Sequence, residues 1–184
     1  LPAPKERIRT VAFDLDVSRA PFPEGLLTDS QYNLHGFDTL VVATQRLGLM
    51  PVFSQELKHS LQTHGLLVLA HPSRRLSSEE RDELMRFVSG GGRLLVLDGL
   101  IEPGSETNSL LEPFGLKVDR QPIRPVADLV TPDAEGTVYR FTRPVQSVVG
   151  GFPVLMDEEG RPLYAEADVG KGRIGVLAES ATVS

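Results

Sequence analysis

The stretch that decides the fold is residues 66–99, LLVLAHPSRRLSSEERDELMRFVSGGGRLLVLDG. It begins with the apolar run Leu66–Ala70 and ends with a second one, Arg93–Leu97. Such runs are typical of parallel strands that are buried on both faces. Between them, Ser77 and Glu80 have the spacing of a capping box, in which the serine hydroxyl accepts from the glutamate N–H and the glutamate carboxylate reaches back. The stretch therefore predicts a strand, a capped helix and a second strand.

The glycine run 90–92 follows the helical stripe formed by Leu84, Phe87 and Val88. Glycine adopts the left-handed conformation at little cost, so this run is suited to ending the helix. A phosphate-binding loop leads from a strand into a helix, whereas this run leads from a helix into a strand. We therefore interpret the three glycines as a helix cap and a tight turn.

The rest of the first 118 residues continues the alternation of strand and helix. The predicted elements are a strand at 8–14, a helix at 34–47 closed by Gly48, a strand at 49–53, a short helix at 56–62, and a short helix at 108–114 closed by Gly115. This alternation predicts an α/β fold, in which helices cover both faces of a mostly parallel sheet.

The pattern changes after residue 120. Residues 121–162 contain six prolines and only short β-like pieces, such as 137–141 and 145–149. We interpret this segment as an irregular β-rich insertion and not as a second domain, so residues 1–184 form one domain. A hairpin follows, with strands at 163–169 and 173–177 and a Gly-Lys-Gly turn, and its second strand is expected to rejoin the main sheet.

Composition excludes several classes of function. The chain of 184 residues has a net charge of −6 with scattered basic residues, which argues against nucleic-acid binding. It has no cysteine, so disulfides, thiolate catalysis and cysteine-ligated zinc are excluded. No apolar run reaches 18 residues, so no membrane span is expected. We expect the chain to be a fragment of a longer protein, since it lacks an initiator methionine; an envelope-associated, extracytoplasmic parent is one interpretation.

Four stretches together resemble a known superfamily. The first is the opening strand at 8–14 with its Pro-rich loop, followed by the helix and strand that meet at 46–53 (RLGLMPVF); the others are 66–99, 108–116 (NSLLEPFGL) and 170–180 (GKGRIGVLAES). The chain is similar to the divergent, flavodoxin-like branch of class I glutamine amidotransferase-like domains. That branch includes bacterial domains of unknown function and the N-terminal domain of an intraflagellar-transport protein. In active members, a cysteine on the turn after a central strand is activated by a histidine. The resemblance places Asp98 and Gly99 at the cysteine turn, and Glu179 and Ser180 where the histidine belongs, so it implies the fold without the amidotransferase activity.

Polar residues follow several of the predicted strands. In an open α/β sheet, ligands bind beyond the carboxyl ends of the strands, near the point where the strand order reverses. The candidate ligand-binding crevice therefore comprises Asp14, Asp16, His71, Ser73, Asp98, Asn108, Glu179 and Ser180. The same residues also suit a structural role, as strand-end groups that cap helices and turns.

A second resemblance concerns residues 13–16, which are similar to the first motif of haloacid-dehalogenase-like phosphatases. It implies Asp14 as the nucleophile, Asp16 as the general acid and base, and Mg²⁺ at the phosphate. The glycine and threonine that usually follow are absent, and no paired acidic motif comes later. The four histidines lack the spacing of metal ligands such as HExxH.

The sequence favours a non-catalytic domain of unknown specificity that binds a protein or small-molecule ligand or serves as a scaffold. It implies no cofactor, no catalytic residue and no resident metal. The alternatives are a metal-dependent hydrolase that uses Asp14 and Asp16, and a structural domain that forms homo-oligomers.

Overall fold

The computed structural model describes residues 10–19, 37–63, 65–99, 104–123, 145–157 and 159–178. The elements in chain order are β1 (Thr10–Asp14), α1 (Asp38–Arg46), β2 (Met50–Ser54), α2 (Leu57–Thr63), β3 (Leu66–Ala70), α3 (Ser78–Ser89), β4 (Arg93–Leu97), α4 (Thr107–Leu111) with a 3-10 turn (Glu112–Phe114), β5 (Lys117–Ile123), β6 (Val145–Val149), β7 (Phe152–Met156), β8 (Pro162–Val169) and β9 (Gly172–Leu177).

Seven strands form the main sheet, in the order β2-β1-β3-β4-β9-β8-β7. The pairings from β2 through β9 are parallel, and β8 and β7 are added antiparallel. A separate antiparallel pair is formed by β5 and β6. The prediction of an α/β fold with a mostly parallel sheet is confirmed, and the second strand of the predicted hairpin, β9, rejoins the sheet beside β4.

The two faces of the sheet bury two separate apolar clusters, because successive side chains of a strand point to opposite faces. One cluster joins Leu67, Leu94 and Ile174 to α2, α3, α4 and the β5–β6 pair. The other joins Phe13 and Val68 to the start of α1. Helices therefore pack on both faces, and the strands between them are apolar in sequence on both sides.

The capping box predicted for α3 is present. The Ser77 hydroxyl accepts from the N–H of Glu80 at 3.2 Å, and the Glu80 carboxylate accepts from the N–H of Ser77 at 2.8 Å. After α3 the chain packs closely against the β8–β9 hairpin. A Cβ on Gly172 would collide with the carbonyl oxygens of Val88 and Gly92, so this position requires glycine.

The segment at 121–162 differs in part from the sequence interpretation. Residues 121–123 complete β5, a strand that the sequence analysis did not identify, and residues 152–156 form β7 of the main sheet. Residues 124–144 lie outside the described residues, so the insertion remains a prediction, as does the β-like piece at 137–141. Among the residues that the structure describes, no helix is long and apolar enough to cross a membrane.

Both edge strands of the main sheet carry an internal proline, Pro51 in β2 and Pro153 in β7. Proline has no N–H, which confines it to sheet edges and removes a donor for further strand pairing. The carbonyl of Ser54 accepts from Leu15 N at 2.7 Å, so Ser54 turns its backbone groups toward β1. Backbone groups alternate in direction along a strand, so Pro51 points to the open edge.

Replacing Ser77 by alanine should destabilise the protein by about 1 kcal/mol, because one N–H of the first turn of α3 loses its acceptor. Urea unfolding of the full chain measures the change. The matched control is Ser78→Ala, since Ser78 is exposed and its side chain makes no hydrogen bond within the described residues. Equal losses in both variants would contradict the assigned cap.

Candidate functional site

Several of the predicted site residues lie at one end of the sheet, where β1, β3 and β4 have their carboxyl ends. Asp14 ends β1, His71 and Ser73 follow β3, and Asp98 follows β4. The strand order reverses at β1, which has β2 on one side and β3 on the other. A ligand crevice of an open α/β sheet is expected at this point. Of the other predicted members, Asp16 and Asn108 are described below, and Glu179 and Ser180 lie outside the described residues.

Asp98 is completely buried at the turn after β4. Its Oδ1 atom accepts from the N–H of Gly99 at 2.9 Å, and its Oδ2 atom lies 3.4 Å from Nη2 of Arg120. The same Arg120 nitrogen donates to the carbonyl of Ser105 at 3.0 Å. His71 Nδ1 lies 3.8 Å from Asp98 Oδ1, which is longer than a hydrogen bond. Asp98 therefore links the end of the central strand to β5 and to the loop before α4.

His71 is the one non-glycine residue with a positive φ in the described part of the chain, at 51°. This conformation is uncommon for a residue with a side chain. Its N–H donates to the carbonyl of Leu97 at 2.8 Å, which extends the β3–β4 ladder by one bond. The imidazole ring lies 5.8 Å from the ring of Phe37, centre to centre. The turn thus places the imidazole between the ring of Phe37 and the carboxyl group of Asp98.

Asp14 is also completely buried. Its Oδ1 atom accepts from the N–H of Val17 at 2.7 Å, while Oδ2 receives no hydrogen bond from the described residues. Burial disfavours the charged carboxylate, and it raises the pKa of Asp14 from 3.8 to about 6; the hydrogen bond from Val17 opposes the rise. The side chain therefore stabilises the turn after β1 from inside the protein.

Asp16 is exposed and forms an ion pair with Arg74, whose Nη2 atom lies 2.6 Å from Asp16 Oδ2. Arg74 also contacts Glu80 at 2.7 Å, which connects the turn after β1 to the first turn of α3. The hydrogen bond from Arg74 lowers the pKa of Glu80 from 4.5 to about 2. Asp14 and Asp16 thus have different surroundings, one apolar and one at a guanidinium. Within the described residues, no group of three His, Cys, Asp or Glu could hold a metal ion.

Hydrogen bonds join the described turns that follow β1 and β3. The hydroxyl of Ser18 accepts from the N–H of Ala70 at 2.9 Å, and the carbonyl of Val17 accepts from the N–H of Ser73 at 2.9 Å. Ser18 and Pro72 form an isolated antiparallel bridge. The turns after β1 and β3 are therefore joined directly, by two hydrogen bonds and one bridge.

Asn108 has a structural partner. Its amide nitrogen donates to the carbonyl of Val118 at 3.0 Å, and its amide oxygen accepts from the N–H of Val118 at 2.7 Å. This pair fixes α4 to β5. Asn108 also lines an open cleft of about 580 Å³, whose walls are polar and comprise Arg75, Arg81, Ser105, Glu106, Asn108, Ser109 and Glu112. Arg75 and Glu106 form an ion pair within it at 2.9 Å.

The sequence analysis did not identify Ser18, Arg74 and Arg120. Arg74 carried no usable signal, because it lies before α3 and six residues from Glu80, outside the three- and four-residue spacings at which side chains meet on a helix. Arg120 carried none, because β5 lay in a segment without regular periodicity. Ser18 follows two aspartates, and nothing in its spacing predicts contact with β3.

Replacing Asp14 by asparagine should change how stability depends on pH. Because the folded pKa lies above the usual value, the folded protein keeps a proton that the unfolded chain has released between about pH 4 and pH 6. As the pH rises through that window, the free energy of unfolding of the wild type should therefore fall by up to about 3 kcal/mol, and it should remain lower at neutral pH. The asparagine variant should lack this decline. Parallel urea unfolding curves from pH 4 to pH 8 test it, and parallel declines in both proteins would contradict the assignment.

Comparison with solved structures places the fold among known proteins. The mmIFT52 N-terminal domain is 20% identical, with a TM-score of 0.66, over 95% of this chain and 88% of that one. The cytoplasmic protein STM3548 from Salmonella typhimurium is 12% identical, with a TM-score of 0.60, over 94% and 87% of the two chains. These similarities show a shared fold, and they confirm the expected likeness to an intraflagellar-transport N-terminal domain.

Larger enzymes contain a similar segment. An exo-β-1,4-mannosidase, Op5Man5, from Opitutaceae bacterium strain TAV5 is 18% identical, with a TM-score of 0.58, over 96% of this chain and 32% of the enzyme. This chain thus spans about a third of that enzyme.

None of the curated protein sequences matches the chain. Residues 38–183 match the family model of DUF4350, a domain of unknown function. The match extends from α1 through the last strand, β9, and so includes the helices of both faces and the Asp98 turn. The chain therefore belongs to the DUF4350 family.

Proposed function

We propose that this domain is a non-catalytic binding or scaffold domain whose ligand is another protein. The observation that carries the proposal is the state of Asp98. At the turn where the resemblance to glutamine amidotransferase-like domains would put a nucleophile, this chain has a buried carboxyl group bonded to Gly99 and approached by Arg120. A side chain held in this way supports the turn and has no access to a substrate.

The surroundings of Asp14 and Asp16 support the same proposal over the phosphatase alternative. A phosphatase of that kind needs both carboxylates at the metal and the phosphate. Here Asp14 is buried with Oδ1 on Val17 N, and Asp16 forms an ion pair with Arg74. Asp16 would have to leave Arg74, and the buried Asp14 would have to become accessible, before the two carboxylates could act together.

We also propose that the fold is flavodoxin-like and glutamine amidotransferase-like. The order β2-β1-β3-β4-β9 of the parallel strands supports this assignment, because it is the doubly wound order 2-1-3-4-5. The same fold occurs in a small cytoplasmic protein and in part of a mannosidase. A fold found in such different proteins does not specify an activity, so the proposal depends on the side chains.

A protein partner is favoured over a small molecule by the surface of the domain. The loops at the switch point bond to each other, and the described cleft beside α4 is polar and open. Small-molecule sites are enclosed and mostly apolar. Large apolar side chains instead lie exposed along both edge strands, where Met50 is 59% and Phe152 is 67% exposed. Contiguous exposed apolar side chains are typical of interaction surfaces.

The enzyme alternatives can be tested on the purified full chain. We expect no release of ammonia from glutamine and no hydrolysis of p-nitrophenyl phosphate with Mg²⁺ or Mn²⁺. We also expect no increase in Tm with either metal, because binding to the folded state alone would raise it. The control variant is Asp16→Asn, which removes only an exposed ion pair and should cost less than about 1 kcal/mol. Hydrolysis that depends on the metal and is lost in Asp16→Asn would contradict the proposal.

A further inference from the structure

The edge strand β7 presents a strip of apolar side chains to solvent. Phe152, Val154 and Met156 are 67%, 59% and 42% exposed, and they form what we call the β7 patch. The strand before it contributes a further exposed residue, Val149. The path from β6 to β7 is fixed by two glycines with positive φ, Gly150 and Gly151. A Cβ on either would collide with a backbone carbonyl, so the patch is held in a defined position.

The β7 patch lies in an acidic part of the sequence. Residues 152–169, which span β7 and β8, contain five carboxylates (Asp157, Glu158, Glu159, Glu166 and Asp168) and one guanidinium, a net charge of −4. This segment therefore accounts for most of the net charge of −6 of the whole chain. Acidic residues lie at both ends of the patch, because Glu166 is opposite Phe152 in the ladder and Asp157 follows Met156.

The described arginines near the patch neutralise only part of this charge. Arg161 contacts Asp157 at 2.6 Å and Glu159 at 3.0 Å. Arg173 of β9 contacts Glu166 and Asp168, each at 2.7 Å. Each guanidinium is shared by two carboxylates, so each cluster keeps a surplus of one negative charge. A complementary partner must combine apolar side chains with positive charge.

Strand addition at this edge is disfavoured. The carbonyl of Leu163 accepts from Ala178 N and therefore points to β9. Because the backbone N–H and C=O groups of successive residues point to opposite sides of a strand, those of Glu166 point to β7. Phe152 pairs with Glu166, so its own backbone N–H and C=O point to β8. The next residue, Pro153, therefore faces the open edge without an N–H. Contact with the patch is expected through side chains.

A second copy and a membrane are both poor occupants on electrostatic grounds. A twofold dimer through this patch would bring two surfaces with the same negative surplus together, since an isologous interface pairs one patch with itself. Anionic lipid would meet the same repulsion. A partner of opposite charge has no such cost.

We infer that the β7 patch docks a protein segment that presents apolar side chains flanked by lysine or arginine. This inference rests on the proposed function, whose ligand it specifies. Phe152 is the central contact, because exposed aromatic side chains commonly carry most of the affinity of an interface. Glu166 and Asp168 at one end and Glu159 at the other attract the basic flanks.

The test is a selection of random 15-residue peptides displayed on phage against the immobilised full chain, followed by anisotropy titration of the selected peptides. The inference predicts peptides with an apolar centre and flanking Lys or Arg. Phe152→Ser should weaken their binding by about tenfold or more. Their affinity should also fall as NaCl rises from about 50 to about 500 mM, because salt screens exposed charges.

The matched control is Leu47→Ser, which removes an apolar side chain that is 77% exposed at the end of α1. It should leave the affinity of the peptides unchanged. Binding that survives Phe152→Ser would overturn this inference and leave the proposed function intact, because the partner would then bind elsewhere. An empty selection, or one enriched in acidic peptides, would overturn it too.

Two further measurements test whether a second copy or a membrane occupies the β7 patch. Sedimentation of the wild type should show one mass at all concentrations. An increase with concentration that Phe152→Ser abolishes would assign the patch to a second copy and overturn the inference. Binding to vesicles of phosphatidylcholine and phosphatidylserine that Phe152→Ser abolishes would assign it to a membrane and overturn it equally. The non-catalytic part of the proposed function is tested separately, because only positive enzyme assays would contradict it.

Discussion

The carboxyl group of Asp98 is completely buried at the end of β4, the middle strand of the seven. Burying a polar group costs free energy unless hydrogen bonds replace those to water. Gly99 supplies one donor and Arg120 approaches the other oxygen, so the turn after β4, strand β5 and the loop before α4 are held together at one point. The neighbouring turns after β1 and β3 are joined by Ser18 and Ser73. Among the described residues, the side chains at the carboxyl ends of β1, β3 and β4 therefore make structural contacts with neighbouring turns.

Much of the fold could be predicted because its signals are local. The run Leu66–Ala70 is a strand with the predicted bounds, and the Ser77–Glu80 capping box fixes the start of α3. The strand at 117–123 escaped prediction because its sequence, KVDRQPI, alternates poorly and contains a proline. It is stabilised by pairing with β6, which is more than twenty residues away in sequence. Long-range pairing of this kind leaves no periodic signal in either strand.

The positions of the candidate site residues in the fold could be predicted from the sequence more readily than their roles. Strand-end residues follow from the predicted strands, and the structure places Asp14, His71 and Asp98 at the carboxyl ends of β1, β3 and β4. Their partners were not, since Arg74 and Arg120 approach from other elements and their contacts depend on tertiary packing. The exposure of the β7 side chains could not be predicted from the sequence, for a related reason. An apolar run such as FPVLM predicts burial, and only the strand order shows that it lies at an edge.

The stability of Asp98→Ala relative to wild type and to Asp98→Asn tests this account most directly. A protein loses stability when a residue that serves its structure is replaced. It often gains stability when a residue that is kept for function is replaced. We predict that alanine costs about 2 kcal/mol or more, because the N–H of Gly99 is left buried without its acceptor. Asparagine should cost less, since its amide oxygen can still accept from Gly99. An alanine variant as stable as wild type, or more stable, would contradict the claim that Asp98 serves the fold.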